Sequence, residues 1–277
     1  MRYESGDKHM DFSISKYGKL LLDEKTQEAK QYREACIPDT LYKFMSLTKD
    51  NCLNRKKLQT IKSDCLWAAP AEDQNDPYEF IGVYLNKAEL QKSGISEKDT
   101  ERYMQRFRSL FCLAAFTSEM VENLPMWAHY SNNHKGFCIK YVVESKKYMR
   151  NVLYEPKRIP IANIFLNYIT AERLAERDPT MKAKAEHYAL ILQDLYFVKH
   201  RSWEYEHEYR IIYPWETAPG LKGLRISNKD AGIRIDTIYS GYQCSDIHKD
   251  KLRSIASMLK VDYKECKISD TSFAVFE

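Results

Sequence analysis

The chain has 277 residues, of which 44% are hydrophobic and 30% are charged, and its formal net charge is +4. This is the composition of an ordinary soluble globular protein, and it excludes a globally disordered chain. The longest apolar runs are too short to cross a membrane and the N-terminus lacks the apolar core of a signal peptide, so we expect a cytoplasmic protein with no membrane partner.

The order of the predicted elements favours an α+β fold over a doubly wound parallel sheet, because helices come early, strands come late and regular alternation is rare. No stretch rich in Gly, Ser or Pro marks a linker, so a single domain is expected over residues 1–277. In this domain, residues 1–37 form a peripheral N-terminal helical segment and residues 38–266 form the core. The core is expected to contain mixed or antiparallel sheets flanked by helices.

Strands are predicted where apolar, β-branched and aromatic residues cluster between polar stretches. In chain order these segments are Leu41–Phe44, Cys65–Ala69, Phe111–Thr117, Gly136–Val143, Glu204–Tyr213 and a last strand near Val261–Cys266. Helices are predicted at Asp23–Cys36, Asn54–Ile61, Ser96–Leu110, a short stretch ended by the Asn132–Asn133 turn, a long region interrupted at Pro179, and Asp246–Leu259.

Two short segments place polar groups beside aromatic residues. The sequence Asn75-Asp76-Pro77 has strong turn chemistry, and we expect it to anchor a loop to the core with Tyr78 buried. The sequence MWAHYSNNHKG (126–136) brings Trp127, Tyr130 and two histidines, one of them His134, to a helix-to-strand junction. Such junctions often present side chains to a cleft.

The stretch WEYEHEYRII (203–212) alternates strictly between two kinds of residue. Its even positions are Glu204, Glu206, Glu208, Arg210 and Ile212, and its odd positions are aromatic rings, a histidine and an isoleucine. In a strand, alternate side chains lie on opposite faces, so the carboxylates and the guanidinium would share one face. This row of charged side chains is either a solvated edge of the sheet or the wall of a cleft. In a cleft, Arg210 would hold one of the carboxylates in place.

Several large enzyme classes are disfavoured by the motifs that the sequence lacks. It contains no HExxH, GxSxG, GxxxxGK[ST] or GxGxxG, which are typical of zincins, serine hydrolases, P-loop NTPases and dinucleotide-binding domains. Its seven cysteines include no CxxC pair, which disfavours a disulfide framework and a structural zinc site.

The motifs resemble a family of bacterial proteins in their order along the chain. They are LYKF, LWAAP, NDPYEF, AAFTS, MWAHYSNNHKGFCIKY, VLYEPKR, VKHRSWEYEHEYRII and IDTIYSG. Together they look like the family filed as domain of unknown function 2971, over roughly Leu41 to Gly241. The combination of MWxxYxxxHxGxCI with WxxExEYR carries the resemblance. The chain departs from typical members at Met45, where they carry Arg, and at Gln74, where they carry Phe.

A second resemblance, to ADP-ribosyltransferases, implies an activity and a fold of that kind. The chain has three features that resemble the three parts of their NAD site. A cationic residue follows a tyrosine on an early strand, a central strand ends in a hydroxyl residue, and a late strand carries Glu-x-Glu. In this chain the residues are Tyr42, Lys43, Thr117, Glu206 and Glu208. Lys43 is a departure, since Arg or His usually stands there.

The resemblance implies cleavage of the nicotinamide–ribose bond of NAD by a bacterial toxin or anti-phage defence effector. Glu208 would be the principal catalytic carboxylate, assisted by Glu206. Tyr130 or Trp127 would stack the nicotinamide, and Lys43 and His134 would contact the pyrophosphate. NAD serves as substrate, a nucleic acid or a protein could be the acceptor, and no metal is required.

Two other classes of function remain open. A metal-dependent nuclease or phosphoester hydrolase could use Asp76, His134, Glu206 and Glu208 as ligands. In a non-catalytic binding module, the same polar groups would form a structural network.

Overall fold

A computed structural model describes residues 10–70, 82–92, 94, 96, 98, 100–102, 105, 111–119, 123–214, 222–270 and 275–276. The chain divides into two compact units. Residues 1–37, 71–111 and 150–204 form the first, here the helical unit, and residues 38–70, 112–149 and 205–277 form the second, here the sheet unit. A single domain over the whole chain stays a prediction.

Helices and strands alternate irregularly along the described chain, as expected for an α+β protein. The helices are α1 (Ile14–Leu22), α2 (Thr26–Ala35), α3 (Asn51–Lys62), α4 (Lys87–Lys92), α5 (Leu124–Tyr130), α6 (Ala162–Leu174), α7 (Pro179–Leu195), α8 (Asn228–Ala231) and α9 (Asp246–Leu259). The strands are β1 (Thr40–Met45), β2 (Cys65–Pro70), β3 (Val83–Tyr84), β4 (Phe111–Thr117), β5 (Phe137–Val143), β6 (Met149–Asn151), β7 (Leu153–Glu155), β8 (Ile159–Pro160), β9 (Val198–His200), β10 (Glu208–Pro214), β11 (Leu224–Ser227), β12 (Ile233–Ser240), β13 (Asp262–Glu265), β14 (Lys267–Ile268) and β15 (Val275–Phe276).

The helical unit contains α1 and α2 and the pair α6 and α7, which pack against each other. As predicted, the long helical region is interrupted at Pro179, which is the first residue of α7. The side chain of Asp178 accepts a hydrogen bond from the Thr180 N–H and so caps the new helix. The helix predicted over Asp23–Cys36 is present as α2, and α1 before it was not predicted.

The sheet unit is built on a mixed sheet, which confirms the predicted fold class. Strand neighbours follow the order β11-β2-β4-β1-β5-β12-β13, and β10 also pairs with β4. Neighbours along this order are antiparallel except for β12 and β13, which are parallel. The predicted strands that correspond to β1, β2, β4, β5 and β13, and helices α3, α5 and α9, are confirmed.

The predicted strand over Glu204–Tyr213 is wrong in its first half. Arg201–Glu206 forms a 3₁₀ helix, and the strand begins only at Glu208. Between them His207 has a φ of +41°, a left-handed conformation that interrupts the extended backbone. Glu204 therefore lies exposed in the 3₁₀ turn and not on a shared strand face with Glu208.

Two predictions fall wholly or largely outside the described residues. The Asn75-Asp76-Pro77 turn with Tyr78 lies outside them, and so does most of the helix predicted at Ser96–Leu110. Within the described part of the chain, the helices are all too short or too polar to span a bilayer.

Candidate functional site

Glu208 and Arg210 form a buried ion pair at the start of β10. They are two positions apart on one strand, so their side chains lie on the same face. The Nε of Arg210 is 2.6 Å from Oε1 of Glu208, and Nη2 is 3.1 Å from Oε2. Only 6% of Glu208 and 1% of Arg210 is exposed. The predicted contact between Arg210 and a carboxylate is therefore present, and it fixes the orientation of the carboxylate.

Glu206 lies at the end of the 3₁₀ turn and is bound by Tyr130, the last residue of α5. The Tyr130 hydroxyl donates a hydrogen bond to Oε1 of Glu206. Burial and the neighbouring carboxylate raise the pKa of Tyr130 far above its ordinary value, so the phenol stays protonated and remains a donor. Glu206 itself is only 3% exposed. Both glutamates of the Glu-x-Glu motif thus lie inside the protein, each with a donor.

The residue between the two glutamates attaches this segment to the end of β4. The carbonyl oxygen of His207 accepts a hydrogen bond from the Ser118 N–H at 3.2 Å, and its Nε2 lies 3.3 Å from Oε1 of Glu119. Nearby, Nδ2 of Asn123 donates to the Tyr205 carbonyl oxygen at 3.4 Å. These contacts hold the left-handed turn that brings Glu206 and Glu208 inward together.

Lys43, on β1, brings a cation to the same region. Its Nζ donates to the Ala115 carbonyl oxygen at 2.7 Å and lies 5.0 Å from the centre of the Phe116 ring. Burial lowers the pKa of Lys43 to about 8, and the negative charge of Glu208 works in the opposite direction. The charge of Glu208 therefore acts on Lys43, and a shared NAD site for the two residues stays a prediction.

Tyr42 and Thr117 are paired across β1 and β4. The Thr117 hydroxyl accepts a hydrogen bond from the Glu119 N–H at 2.9 Å and so closes the turn that follows β4. Adjacent residues of a strand point to opposite faces, so Tyr42 does not share the face of Lys43. Tyr42 instead joins a core cluster that contains Trp127, against which Tyr130 packs.

Trp127 and His134 stack on one another. Their ring centres are 5.8 Å apart with an interplanar angle of 12°, and His134 also meets Tyr242 at 4.8 Å. The Trp127 ring is fully buried and packs edge-on against Phe44. Of the two rings predicted to stack the nicotinamide, Tyr130 is the one that is partly exposed.

His134 is held in an unusual turn. Asn132, Asn133 and His134 have consecutive positive φ angles of 55°, 53° and 63°, and this turn ends α5 as predicted. Burial lowers the pKa of His134, which favours the neutral imidazole at neutral pH. Among the described residues, no group offers a hydrogen bond to its buried Nδ1.

Apart from Thr117, which pairs with Tyr42 at the end of β4, the structure separates the predicted site residues into two neighbouring groups. The first, which we name the acidic cluster, consists of Glu206, Glu208, Arg210 and Tyr130, and Lys43 is connected to it only through the charge of Glu208. The second is the aromatic group around Trp127 with Tyr42 and His134. Their roles in catalysis and binding stay predictions.

The sequence analysis did not single out Phe116, Tyr205 or Tyr242. Phe116 lies under Lys43, Tyr205 packs against the same core cluster as Tyr130, and Tyr242 packs on His134. Tyr242 directly follows the IDTIYSG motif, and this position next to a motif is the sequence feature that could have identified it.

The described residues contain no group of three or more His, Cys, Asp and Glu that could hold a metal ion. Asp76, one of the four ligands considered for a metal site, lies outside those residues. No observation in the described part of the chain therefore favours the metal-dependent hydrolase over the other readings.

Comparison with known proteins supports the family resemblance. Residues 126–211 match the family described as "Protein of unknown function (DUF2971)". No curated protein and no solved structure matches the chain. The matched segment runs from α5 into β10 and includes Tyr130, His134, Glu206, Glu208 and Arg210. The match over residues 126–211 supports the resemblance of the chain to the DUF2971 family.

Proposed function

We propose that the protein cleaves the nicotinamide–ribose bond of NAD, as an ADP-ribosyltransferase or an NAD glycohydrolase. The observation that carries the proposal is the pair of buried glutamates, Glu206 and Glu208, each oriented by a donor. A carboxylate fixed before the reaction can stabilise positive charge without reorganising during it. An exposed, solvated edge would not immobilise the two carboxylates in this way.

The reaction needs stabilisation of an oxocarbenium-like centre on the ribose. The bond between ribose C1′ and the nicotinamide nitrogen breaks, and its electron pair leaves with neutral nicotinamide. A nucleophile, either water or a group on a protein or nucleic acid, then attacks C1′ and loses a proton. In this scheme Glu208 stabilises the developing charge, and Glu206 holds a ribose hydroxyl or the nucleophile.

The remaining residues would bind the rest of the dinucleotide. The ring of Tyr130 would stack the nicotinamide, while its hydroxyl remains bonded to Glu206. Lys43 would offer its cation to the pyrophosphate, and neutral His134 would donate one ring N–H. Glu208 supports the positive charge of Lys43, so the anion-binding and carboxylate parts of the site depend on each other.

The test is release of free nicotinamide from NAD by the purified protein. We expect Glu208→Gln to reduce the rate by roughly a hundredfold or more, because it removes the charge that stabilises the oxocarbenium ion. Glu204→Gln is the matched control, since Glu204 is exposed and its ion pair with Arg201 spans 3.8 Å between exposed side chains. Circular dichroism must show that each variant is folded. Equal rates for folded Glu208→Gln and wild type would refute the proposal.

The proposed biological role is that of a bacterial toxin or anti-phage defence effector in the cytoplasm. Consumption of NAD, or modification of a nucleic acid or protein acceptor, would arrest growth. Expression of the wild-type protein should lower the cellular NAD pool or modify the acceptor, and Glu208→Gln should do neither, at matched protein levels.

A further inference from the structure

A groove separate from the acidic cluster runs between α3 and α9 in the sheet unit. Its volume is about 990 Å³, and its walls come from α3, from α9 and from Ser245 before α9. We propose that this groove docks an acidic, amphipathic helical segment of a partner protein.

The apolar part of the groove is large enough to anchor such a helix. Leu58 and Ile255 form a buried floor, while Ile247 and Met258 line the groove with 70% and 47% of their surfaces exposed. Large exposed apolar side chains that line a shared concave surface are typical of interaction sites. An amphipathic helix binds such a groove with apolar side chains spaced one helical turn apart.

The charged rim of the groove is basic. Arg55 and Lys62 project from α3, Lys251 projects from α9, and all three are exposed. Asp250 is the acidic residue in the described part of the lining, and its Oδ1 is 2.7 Å from Nη1 of Arg253, so its charge is compensated locally.

The three basic residues of the rim remain available to a partner. In the described ranges of the chain, no carboxylate lies within ion-pair distance of Arg55, Lys62 or Lys251. The rim is therefore complementary to an anionic ligand.

The apolar lining and the basic rim together favour a peptide over a nucleic acid as the ligand. Single-stranded nucleic acids bind through aromatic platforms on which their bases stack. Among the described residues that line this groove there is no Phe, Tyr or Trp, and their apolar surface comes from aliphatic residues and Met258. Aliphatic side chains with a basic rim fit a helix whose apolar face is flanked by Glu and Asp.

The experiment uses the full chain and three fluorescent probes, with binding followed by anisotropy. The first probe is a helical peptide with leucines at i, i+3, i+4 and i+7 and glutamates elsewhere. The second has the same leucines with lysines replacing the glutamates, and the third is a single-stranded oligonucleotide. We expect saturable binding of the glutamate peptide, and weakening of that binding by added salt.

Variants then locate the binding site. Lys62→Glu with Lys251→Glu should weaken binding of the glutamate peptide about tenfold, because two rim charges become repulsive. Ile247→Ser with Met258→Ser should weaken it by a similar factor through lost apolar contact. Lys182→Glu is the control for a charge reversal away from the groove, since Lys182 is exposed on α7 and far in sequence from both groove helices. We expect it to leave the affinity within about twofold.

Three results would overturn the proposal. The first is the absence of saturable binding by the glutamate peptide. The second is an equal response of that peptide to the groove variants and to Lys182→Glu. The third is groove-dependent binding of the oligonucleotide at least as tight as that of the peptide, which would identify the groove as a nucleic-acid site.

Discussion

Arg210 binds both carboxylate oxygens of Glu208, and both side chains are almost completely buried. Removing one member of such a pair leaves a buried charge without its counterion. We therefore expect Glu208→Gln to lower the free energy of unfolding by about 3 kcal/mol. A double variant, Glu208→Leu with Arg210→Met, should recover most of this loss, because no charge then remains buried.

The control for this prediction is Glu144→Gln. Glu144 pairs with Arg234 at 3.2 Å, but 51% and 56% of the two side chains are exposed. Its loss should cost at most about 1 kcal/mol in urea unfolding. If the buried and exposed variants lose the same stability, the Glu208–Arg210 pair is not the desolvated contact described here. Activity assays of Glu208→Gln must accordingly be run where the variant is folded.

Tyr130→Phe tests the second carboxylate. The change keeps the ring and removes the donor to buried Glu206, so we expect a loss of about 1 to 3 kcal/mol in the free energy of unfolding. Tyr168→Phe is the matched change at an exposed site, where the Tyr168 hydroxyl bonds Glu172 at 3.1 Å one helical turn away. Denaturant titration should show a loss below about 0.5 kcal/mol for this variant. A larger loss at Tyr168 than at Tyr130 would contradict the assignment.

Lys43 makes stability depend on pH in the alkaline range. Its pKa of about 8 in the folded protein lies below the ordinary value of 10.5, so the unfolded chain holds the proton more tightly. Between these two values the unfolded state binds more protons, and the free energy of unfolding should rise with pH. Lys43→Met should remove this rise. The comparison is the difference between wild type and variant in denaturant unfolding, from about pH 7 to about pH 10. A difference that does not change with pH would rule out a lowered pKa.

Gly136 is required by close contact between two backbones. A Cβ at this position would lie 2.0 Å from the Met45 carbonyl oxygen and 2.9 Å from that of Ser131. Neither oxygen can move like the end of a flexible side chain, so Gly136→Ala should destabilise the protein by about 3 kcal/mol or more.

Gly18→Ala provides the opposite expectation. A Cβ there would meet the Ile191 side chain at an ordinary 3.5 Å, and Gly18 lies inside α1. Alanine favours a helix over glycine, so this variant should be neutral or gain about 0.5 kcal/mol. Thermal unfolding of Gly136→Ala and Gly18→Ala tests both expectations. Comparable Tm values for the two variants would contradict the close approach at Gly136.

The sequence was most informative where local pattern and tertiary structure agree. The apolar run Phe111–Thr117 is β4 with the predicted bounds, and Asp246–Leu259 is α9 with the predicted bounds. The shared face of Glu208 and Arg210 also follows from strand geometry alone.

The alternation at 203–212 was misleading for a physical reason. Its residues fit a strand throughout, and neither Gly nor Pro marks an interruption. The interruption comes from His207, whose left-handed turn is held by Ser118 and Glu119, two residues almost ninety positions earlier. A contact so distant in sequence cannot be read from local periodicity. The stacking of Tyr242 on His134 escaped prediction for the same reason.

The position of β12 has a consequence for synthesis of the protein on the ribosome. This strand, Ile233–Ser240, pairs along the whole of β5, and the following Gly241 donates to the Gly136 carbonyl oxygen at 2.9 Å. After the MWAHYSNNHKG turn is synthesised, roughly a hundred further residues must be added before Gly241, which binds this turn, leaves the ribosome. During that interval β5 has one exposed edge, which makes it a natural client for chaperones that shield unpaired strands. The pairing around β5 is therefore complete only after Ile233–Ser240 has been synthesised.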